Sequence, residues 1–272
     1  MSLAAEKIKP PVKWAGGKTQ LLSQLRPLFP KGFNLYLEPF VGGGAVFFDL
    51  QPDRAVLIDS NYDLINFYQV VKNNLEELLR DLKKHKNSKE YYYKIRSLDP
   101  DQMDSIERAS RFLYLNKTCF NGLWRVNKRG KFNVPFGRYK NPNYGDKENL
   151  YMVSAALKNA EIICDDFSIV TDYVTPGDFV YFDPPYHPLS KTASFTSYTE
   201  DCFSEKDQVR LSEIFRALDA EGCYVMLSNS DTEFIRGLYR GYDIRVVHAK
   251  RAINSKGTKR GPIIELVIRN YI

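Results

Sequence analysis

The chain has 272 residues, of which 43% are hydrophobic and 26% are charged, and this balance excludes a wholly disordered chain. No apolar run approaches the roughly 18 residues that a transmembrane helix requires, and the first residues lack the apolar core of a signal peptide. The four cysteines form no C-x-x-C pair, so neither a zinc knuckle nor a redox motif is indicated. We therefore expect a cytoplasmic protein with reduced, buried cysteines, no membrane segment and no metal site.

The net charge of +6 is unevenly distributed along the chain. From Arg108 to Tyr144 the sequence contains nine basic residues and no acidic residue, so the net charge of this window exceeds that of the whole chain. A second stretch, from Arg245 to Arg260, contains six basic residues and no acidic residue. Clustered positive charge is typical of a surface that binds a phosphate backbone, but a solvated basic face has the same composition.

The first part of the chain alternates between strand and helix patterns. The apolar run 35–41 predicts a strand, glycines follow it, and a helix can start at 45–50. The run 55–58 predicts a second strand that ends at Asp59, and 62–72 predicts the next helix. This alternation is typical of a parallel sheet with crossover helices.

The middle of the chain has a different pattern. Residues 73–86 and 89–98 predict charged helices, and 105–118 has the apolar spacing of an amphipathic helix. The following stretch, as far as Tyr144, is rich in Asn, Gly, Arg and aromatic residues and predicts loops or a β-hairpin. We expect His85 to lie at the surface.

After about residue 149 the α/β pattern returns. Ser204 and Asp207 have the spacing of a helix cap, which predicts a helix as far as about Ala220. The predicted strands are 161–164, 178–182, 223–227, 243–249 and 263–269. The whole pattern predicts one α/β domain that is interrupted by a basic, mostly helical insertion.

Two familiar nucleotide motifs fail when their spacing is checked. Gly17-Lys18-Thr19 resembles the end of a P-loop, but Val12 stands where that motif requires a glycine, which argues against ATP hydrolysis. Gly42-Gly43-Gly44 follows a predicted strand, but Phe47 stands at the third glycine position of the dinucleotide fingerprint. Glycines after the first strand and a carboxylate at Asp59 suit an adenosine ligand without a pyrophosphate, and a tight turn between strand and helix is the alternative.

Asp183-Pro184-Pro185-Tyr186 directly follows an apolar strand, where open α/β sheets bind their ligands. The exocyclic amine of adenine is a poor nucleophile because its lone pair is conjugated into the ring. A carboxylate and a carbonyl fixed by prolines can accept both of its N–H groups and make the nitrogen more sp³-like. Tyr186 offers a flat face to a base that has left the stack. The alternative is a proline turn that leads into a loop.

Several separated motifs together resemble the Dam-type DNA adenine-N6 methyltransferases of the D12 class, alpha group. In that family a cofactor motif, a target-recognition domain and D-P-P-Y follow one another in this order. The matching segments are Lys13 to Lys18, Glu38 to Gly44, Asn121 to Asn127, Phe132 to Tyr139, Asp183 to Ser190 and Phe195 to Tyr198. The resemblance covers nearly the whole chain.

The resemblance implies S-adenosylmethionine as the cofactor. The residues that would line its pocket are Trp14, Lys18, Phe40, Gly42, Gly44, Asp59, Asp166, Phe167 and Asp183. Of these, Asp166 and Phe167 match a motif that holds the adenine end. The residues that would hold the flipped target adenine are Asp183, Pro184 and Tyr186.

The resemblance also implies a set of DNA contacts. The residues concerned are Lys13, Phe120, Asn121, Leu123, Arg125, Asn127, Pro135, Arg138 and Tyr139. Arg125 and Lys13 would each read a guanine, and Arg138 would grip a phosphate. Phe120 and Asn121 would fill the space that the flipped base leaves.

The implied fold is a Rossmann-like methyltransferase sheet with helices on both faces, formed by 1–66 and 152–272. A mainly helical target-recognition domain with a β-hairpin would occupy 67–151. We expect a monomeric, nucleoid-associated enzyme that methylates adenine in GATC of double-stranded DNA, alone or with a restriction system. The alternatives are a cytosine-N4 DNA methyltransferase, which more often carries serine where Asp183 stands, and a non-catalytic DNA-binding protein on the same fold.

Overall fold

The computed structural model describes residues 7–127, 129–189, 203–249 and 263–272. The second basic stretch beyond Ala249 and the family-like segment from Phe195 to Tyr198 therefore lie outside the described residues. Within the described residues, no helix has the length and apolar character that crossing a bilayer requires.

The strands agree closely with the predicted ones. They are β1 (Tyr36–Pro39), β2 (Ala55–Asp59), β3 (Ala160–Cys164), β4 (Phe179–Phe182), β5 (Tyr224–Ser230), β6 (Asp243–Ala249) and β7 (Ile263–Arg269). They form one seven-stranded sheet in the order β3-β2-β1-β4-β5-β7-β6. The pairs β1/β2, β1/β4 and β4/β5 are parallel, whereas β7 is antiparallel to both β5 and β6. This mixed sheet with helices on both faces confirms the predicted Rossmann-like α/β class.

The helices include three that the sequence patterns did not reveal. In chain order they are α1 (Leu22–Leu25), α2 (Ala45–Leu50), α3 (Tyr62–Asn73), α4 (Leu75–Leu82), α5 (Lys89–Ser97), α6 (Ser105–Thr118), α7 (Lys147–Leu157), α8 (Glu205–Ala220) and α9 (Glu233–Leu238). The unpredicted ones are α1, α7 and α9. A side-chain cap begins α7 and α9, because Asp146 and Thr232 accept a backbone N–H of the first turn, whereas α1 has no side-chain cap.

The contacts divide the chain into two compact units. The first comprises Met1–Gly17, Val41–Gln51 and Asp59–Cys164. The second comprises Lys18–Phe40, Pro52–Ile58 and Asp165–Ile272. The division into a catalytic domain and a target-recognition domain at 67–151 stays a prediction, since these units are defined by contacts and not by function.

The order of the strands fixes where the second unit can bind a ligand. β1 lies between β2 and β4, so the direction in which successive strands are added reverses between β1 and β4. These two strands are parallel, and their carboxyl ends at Pro39 and Phe182 lie at the same edge of the sheet. Ligands of open α/β sheets bind at such a switch point. Phe40 and Asp183 directly follow the two strand ends.

Two arginines of the basic window bind carbonyl and carboxylate oxygens within the first unit. Arg111 is buried and donates to the carbonyl oxygens of Ile95 and Arg96 at 3.0 Å each, at the end of α5. Arg108 pairs with Asp63 and Asp101 at 2.6 and 2.9 Å. The surface that can meet DNA is therefore less basic than the count of nine residues predicts.

His85 packs in an aromatic cluster, contrary to the expected surface position. Its ring stacks on Tyr114 with centroids 4.4 Å apart, Nε2 lies 2.9 Å from Ser110 Oγ, and Nδ1 lies 3.1 Å from Tyr91 Oη. Burial lowers the pKa of His85 from 6.5 to about 4, although the nearby Asp81 opposes this shift. The folded chain therefore holds the imidazole neutral over most of the weakly acidic range.

We expect acid to destabilise the protein through His85. The unfolded chain binds a proton near pH 6.5, whereas the folded chain does so only near pH 4, so stability falls as pH decreases between these values. After discounting for the partial exposure of the ring, the loss is on the order of 1–2 kcal/mol. Urea unfolding between pH 7 and pH 4 measures it. His85→Gln should flatten the slope, while the matched change His248→Gln, at an exposed site, should not.

Candidate active site and nucleic-acid interface

The Asp183 carboxylate lies just beyond β4 and forms an ion pair with Lys18. Its Oδ1 is 2.7 Å from Lys18 Nζ, and the Lys18 side chain is only 3% exposed. Nζ also lies over the ring of Tyr186, 4.8 Å from the centroid. Burial raises the pKa of Asp183, the ammonium of Lys18 opposes this rise, and the charge of Glu265 adds to it. The structure thus brings together three residues that the sequence assigned to cofactor and target.

The Tyr186 hydroxyl donates to Glu265 Oε2 on β7 at 2.6 Å. Burial raises the pKa of this phenol well above its ordinary value, and the charges of Asp183 and Glu265 reinforce the rise. The hydroxyl is therefore a donor at neutral pH, and its bond to Glu265 fixes the ring. Glu265 was not predictable from the sequence, because it lies 79 positions along the chain from Tyr186 and belongs to no recognisable motif.

An aromatic cluster follows β1 in the same unit. Phe40 has a positive φ of 74°, and its ring stacks on Phe167 with centroids 5.1 Å apart. Phe203, which no motif indicated, has its ring centroid 5.5 Å from that of Phe40 and 5.6 Å from that of Phe167. A non-glycine residue in the left-handed region is strained, and such strain concentrates at functional sites. The cluster offers a flat apolar surface beside the switch point.

Asp166 is already engaged by the protein. Arg210 donates to both of its oxygens at 2.8 and 2.9 Å, and the backbone N–H and hydroxyl of Ser168 donate to Oδ1. Burial raises the pKa of Asp166, but these hydrogen bonds outweigh it and hold the pKa below its usual value. The guanidinium of Arg210 also lies 4.3 Å from the ring centre of Phe167. The pair predicted to hold an adenine is therefore fixed by one arginine that no motif revealed.

The glycine loop and Asp59 form a second cluster, within the first unit. The Gly42 N–H donates to Asp59 Oδ2 at 3.0 Å, and Asn61 N–H donates to Oδ1 at 2.9 Å. Tyr68 Oη donates to the Gly42 carbonyl at 2.8 Å. Burial raises the pKa of Asp59, and the two backbone N–H groups oppose that rise. Gly44 has a positive φ of 67° and begins α2. The loop is thus held tightly around a carboxylate.

Gly42 admits no side chain in this loop. A Cβ there would lie 2.6 Å from Cδ1 of Trp14, and its φ is +47°. We expect Gly42→Ala to weaken cofactor binding by about 1–2 kcal/mol, because the backbone strain and the clash displace the loop and the indole. Titration calorimetry with S-adenosylmethionine measures this. Gly32→Ala is the matched control, since nothing lies within 4 Å of its Cβ position. Equal affinity in the two variants would contradict the assignment.

Lys13 is anchored at both its backbone and its side chain. Its N–H donates to Asn116 Oδ1 at 2.8 Å, and its carbonyl accepts from Asn116 Nδ2 at 2.7 Å. Its ammonium lies 4.2 Å from the ring centre of Tyr139, another predicted DNA contact. Gly122 packs directly against the Lys13 side chain, and a Cβ there would lie 2.3 Å from its Cδ. The structure therefore joins two of the predicted contacts into one rigid group.

The predicted base-reading segment folds onto an aromatic core. Trp124 lies between Phe112 and Phe132, with centroids 4.3 and 4.5 Å away. Single backbone bridges join Val126 to Phe132 and Cys119 to Phe136, so the predicted hairpin is reduced to a minimal one. Arg125 is exposed, and its Nε donates to Asn133 Oδ1 at 2.7 Å. The aromatic core fixes the backbone of the base-reading segment, and side chains next to it in the sequence, such as that of Arg125, remain at the surface.

The other predicted DNA contacts lie around this core. Phe120 and Leu123 are 50% and 40% exposed, so both apolar side chains are accessible to a partner. Asn121 and Arg138 are exposed and have positive φ angles of 55° and 58°. The Asn127 side chain closes a turn by accepting the backbone N–H groups of residues 129 and 131. Pro135 is also exposed, and its carbonyl accepts the N–H of Phe120.

Comparison with known proteins shows the family to which the chain that carries these residues belongs. A family model described as D12 class N6 adenine-specific DNA methyltransferase matches residues 14–253. The chain belongs to this family.

Curated relatives of this D12-class methyltransferase agree. The type II methyltransferase M.MjaIII of Methanocaldococcus jannaschii is 48% identical, with 97% of this chain and 100% of the relative covered. The type II methyltransferase M1.LlaDCHI of Lactococcus lactis subsp. cremoris is 47% identical, with 97% and 96% covered. The DNA adenine methylase of Escherichia coli (strain K12) is 40% identical, with 94% and 93% covered.

These matches confirm the predicted activity class: the protein is an adenine-specific DNA methyltransferase whose substrate is DNA. A cytosine-N4 enzyme and a non-catalytic binding protein are accordingly not favoured.

In the part of the chain that the structure describes, no group of three or more His, Cys, Asp or Glu residues has the arrangement of a metal site. One exposed cysteine, Cys164, departs from the expectation that the cysteines are buried.

Proposed function

We propose that this D12-class enzyme transfers the methyl group of S-adenosylmethionine to N6 of an adenine flipped out of double-stranded DNA, within GATC. The contacts of Lys18 carry the proposal. Its ammonium is an N–H donor that touches both the Asp183 carboxylate and the Tyr186 ring. These are the two kinds of group that an adenine amino group and its ring require. The pair follows β4, where the strand order of the sheet favours ligand binding.

The residues present fit S-adenosylmethionine. Phe40 and Phe167 provide a flat apolar surface that suits an adenine ring. Within the first unit, each oxygen of Asp59 accepts one backbone N–H, and a carboxylate has about four acceptor positions, so its remaining positions suit ribose hydroxyls. The carboxylates Asp183 and Glu265 suit a sulfonium cation. When bound, S-adenosylmethionine supplies an activated methyl group, and no metal is needed for the transfer.

The chain's own residues have to position and polarise the amine. The Asp183 carboxylate accepts one N–H of the adenine amino group, and the Pro184 carbonyl accepts the other. Both hydrogen bonds favour the sp³-like nitrogen of the transition state over the conjugated amine of the ground state. Tyr186, fixed by Glu265, stacks on the ring and offsets part of the few kcal/mol that base flipping costs. The excess proton on N6 leaves to solvent after transfer.

The GATC assignment rests on the match of the 121–139 segment to the family motifs and on the exposed side chains of that segment. Labelled methyl transfer to plasmid DNA, followed by mapping of the modified bases, tests it. We expect N6-methyladenine in GATC in both strands. Modified adenines elsewhere would refute the sequence reading and leave the chemistry intact. Modified cytosines would refute the chemistry.

The remaining finer points are proposals of the same kind. We infer a monomer and a cytoplasmic, nucleoid-associated enzyme from the resemblance and from the DNA substrate. The basic side chains that are exposed in the described part of the 108–144 window support DNA binding. Their contacts should release counterions, so DNA affinity should fall with salt by a log–log slope of about −0.9 per phosphate neutralised.

A further inference from the structure

The two prolines of D-P-P-Y prevent this segment from being fixed by backbone N–H hydrogen bonds of its own. Neither Pro184 nor Pro185 has a backbone N–H, so the segment cannot continue the hydrogen bonding of β4 beyond Phe182. The proline rings fix both φ angles, so the course of the backbone depends on the two ψ angles, and the ψ angle of Pro184 directs its own carbonyl. Something else has to hold those angles, because a carbonyl that accepts an adenine N–H must be aimed accurately.

Two buried amide side chains grip the segment from outside. Gln208 on α8 is 1% exposed, and its Nε2 donates to the Pro185 carbonyl at 2.9 Å. Asn229 on β5 is 0% exposed, and its Oδ1 accepts the His187 N–H at 3.1 Å. Asn229 Nδ2 donates to Gln208 Oε1 at 3.0 Å and joins the two amides. Ser230 Oγ donates to the His187 carbonyl at 2.6 Å. Both sides of Tyr186 are therefore held.

The pattern of donors and acceptors allows only one orientation of each amide. A backbone carbonyl can only accept, so Gln208 must present its NH2 group to Pro185 and its oxygen to Asn229. A backbone N–H can only donate, so Asn229 must present its oxygen to His187. The two requirements agree with each other. Every nitrogen and oxygen of the two amide groups thus has a hydrogen-bond partner, and such a buried network is rigid and costly to disturb.

We propose that Gln208 and Asn229 are positioning residues for methyl transfer, which fix the backbone at Pro185 and His187 and thereby aim the Pro184 carbonyl at the adenine amino group. This inference rests on the proposed role of D-P-P-Y. It assigns Gln208 and Asn229 no contact with the reacting atoms. Their effect is therefore on the chemical step, and the affinities for cofactor and DNA depend on other residues.

Gln208→Glu tests the proposal, because it keeps the side-chain shape and places a carboxylate oxygen against the Pro185 carbonyl. We expect the single-turnover rate of methyl transfer to fall by about tenfold or more, since small displacements of aligned groups have effects of this size. The dissociation constants for S-adenosylmethionine and DNA should change by less than about twofold. Asn229→Asp keeps the bond to His187 and loses the donor to Gln208, so its rate should fall as well.

The matched control is Gln69→Glu on α3. Gln69 is exposed and also donates to a backbone carbonyl, that of Ile162, at 3.1 Å. Its rate should match that of the unmodified enzyme. If Gln208→Glu does not fold, Gln208→Met, which lacks both the donor and the charge, is measured in the same way.

The proposal is overturned if the Gln208 variants fold and keep their rate within about twofold, or if rate and cofactor affinity fall together, which indicates a merely structural role. Failure of the proposed function has a different signature. In that case Asp183→Ala retains full transfer, whatever the Gln208 variants do.

Discussion

Replacing Asp183 with alanine should reduce single-turnover methyl transfer by at least about 10²- to 10³-fold, the usual loss when one aligned polar group is removed from an active site. The carboxylate is the charged acceptor of the pair that polarises the amine, and the Pro184 carbonyl alone cannot replace it. DNA affinity should stay within a few-fold, because the predicted DNA contacts are other residues. Labelled methyl transfer and a fluorescence-anisotropy titration measure the two quantities.

The ion pair with Lys18 requires a stability control. Asp183→Ala leaves the buried ammonium of Lys18 without this carboxylate. Because the Asp183 side chain is 19% exposed, the loss of stability should be below the roughly 3–5 kcal/mol that is typical of a fully buried pair. Asp183→Asn keeps the shape and one acceptor oxygen, and it should fold better while still losing most of its activity. Asp53→Ala removes an exposed carboxylate of the same unit and should change neither quantity. Transfer at the normal rate in folded Asp183→Ala would rule out the mechanism.

The location of Asp183 was predictable because it depends on local sequence. An apolar strand followed by D-P-P-Y places the carboxylate at the carboxyl end of β4 from the pattern alone. The partners that tune it were not predictable in the same way. Glu265 and Gln208 come from elements that only the folded sheet and its covering helix bring to D-P-P-Y. Nothing in the sequence around either residue marks it as functional.

The clustering of positive charge was visible in the sequence, but the role of each charged side chain was not. The basic window encloses the proposed base-reading segment, but composition could not show which cations reach the surface. Arg111 is buried against the end of α5, and Arg108 is paired with acidic residues, because long side chains can satisfy carbonyls and carboxylates from within. Among the helices, α7 was missed because its capping residue, Asp146, lies between the predicted loops that end at Tyr144 and the α/β pattern that returns at about residue 149. Local patterns therefore predicted the elements, and tertiary packing decided what the charges do.

Arg125→Ala should relax sequence specificity more than it weakens DNA binding. Its Nε is held by Asn133, so the two terminal amino groups supply the paired donors that a guanine edge accepts. A bidentate contact of this kind contributes about 1–3 kcal/mol of discrimination. We expect the ratio of kcat/KM on GATC to that on a site with the guanine replaced to fall by about 10- to 100-fold. Competition assays with two labelled duplexes measure this ratio directly.

Arg129→Ala, in the same segment of the chain, is the comparison variant for Arg125→Ala. Arg129 is exposed and carries the same charge, so its removal should weaken binding to all duplexes alike and reduce the salt slope by about one phosphate contact. Asn133→Ala frees Nε without removing the guanidinium, and specificity should then fall by less than in Arg125→Ala, because the side chain loses its orientation and keeps its donors. Equal specificity losses in Arg125→Ala and Arg129→Ala would mean that the segment binds DNA by charge alone, and base reading would have to be assigned to other residues.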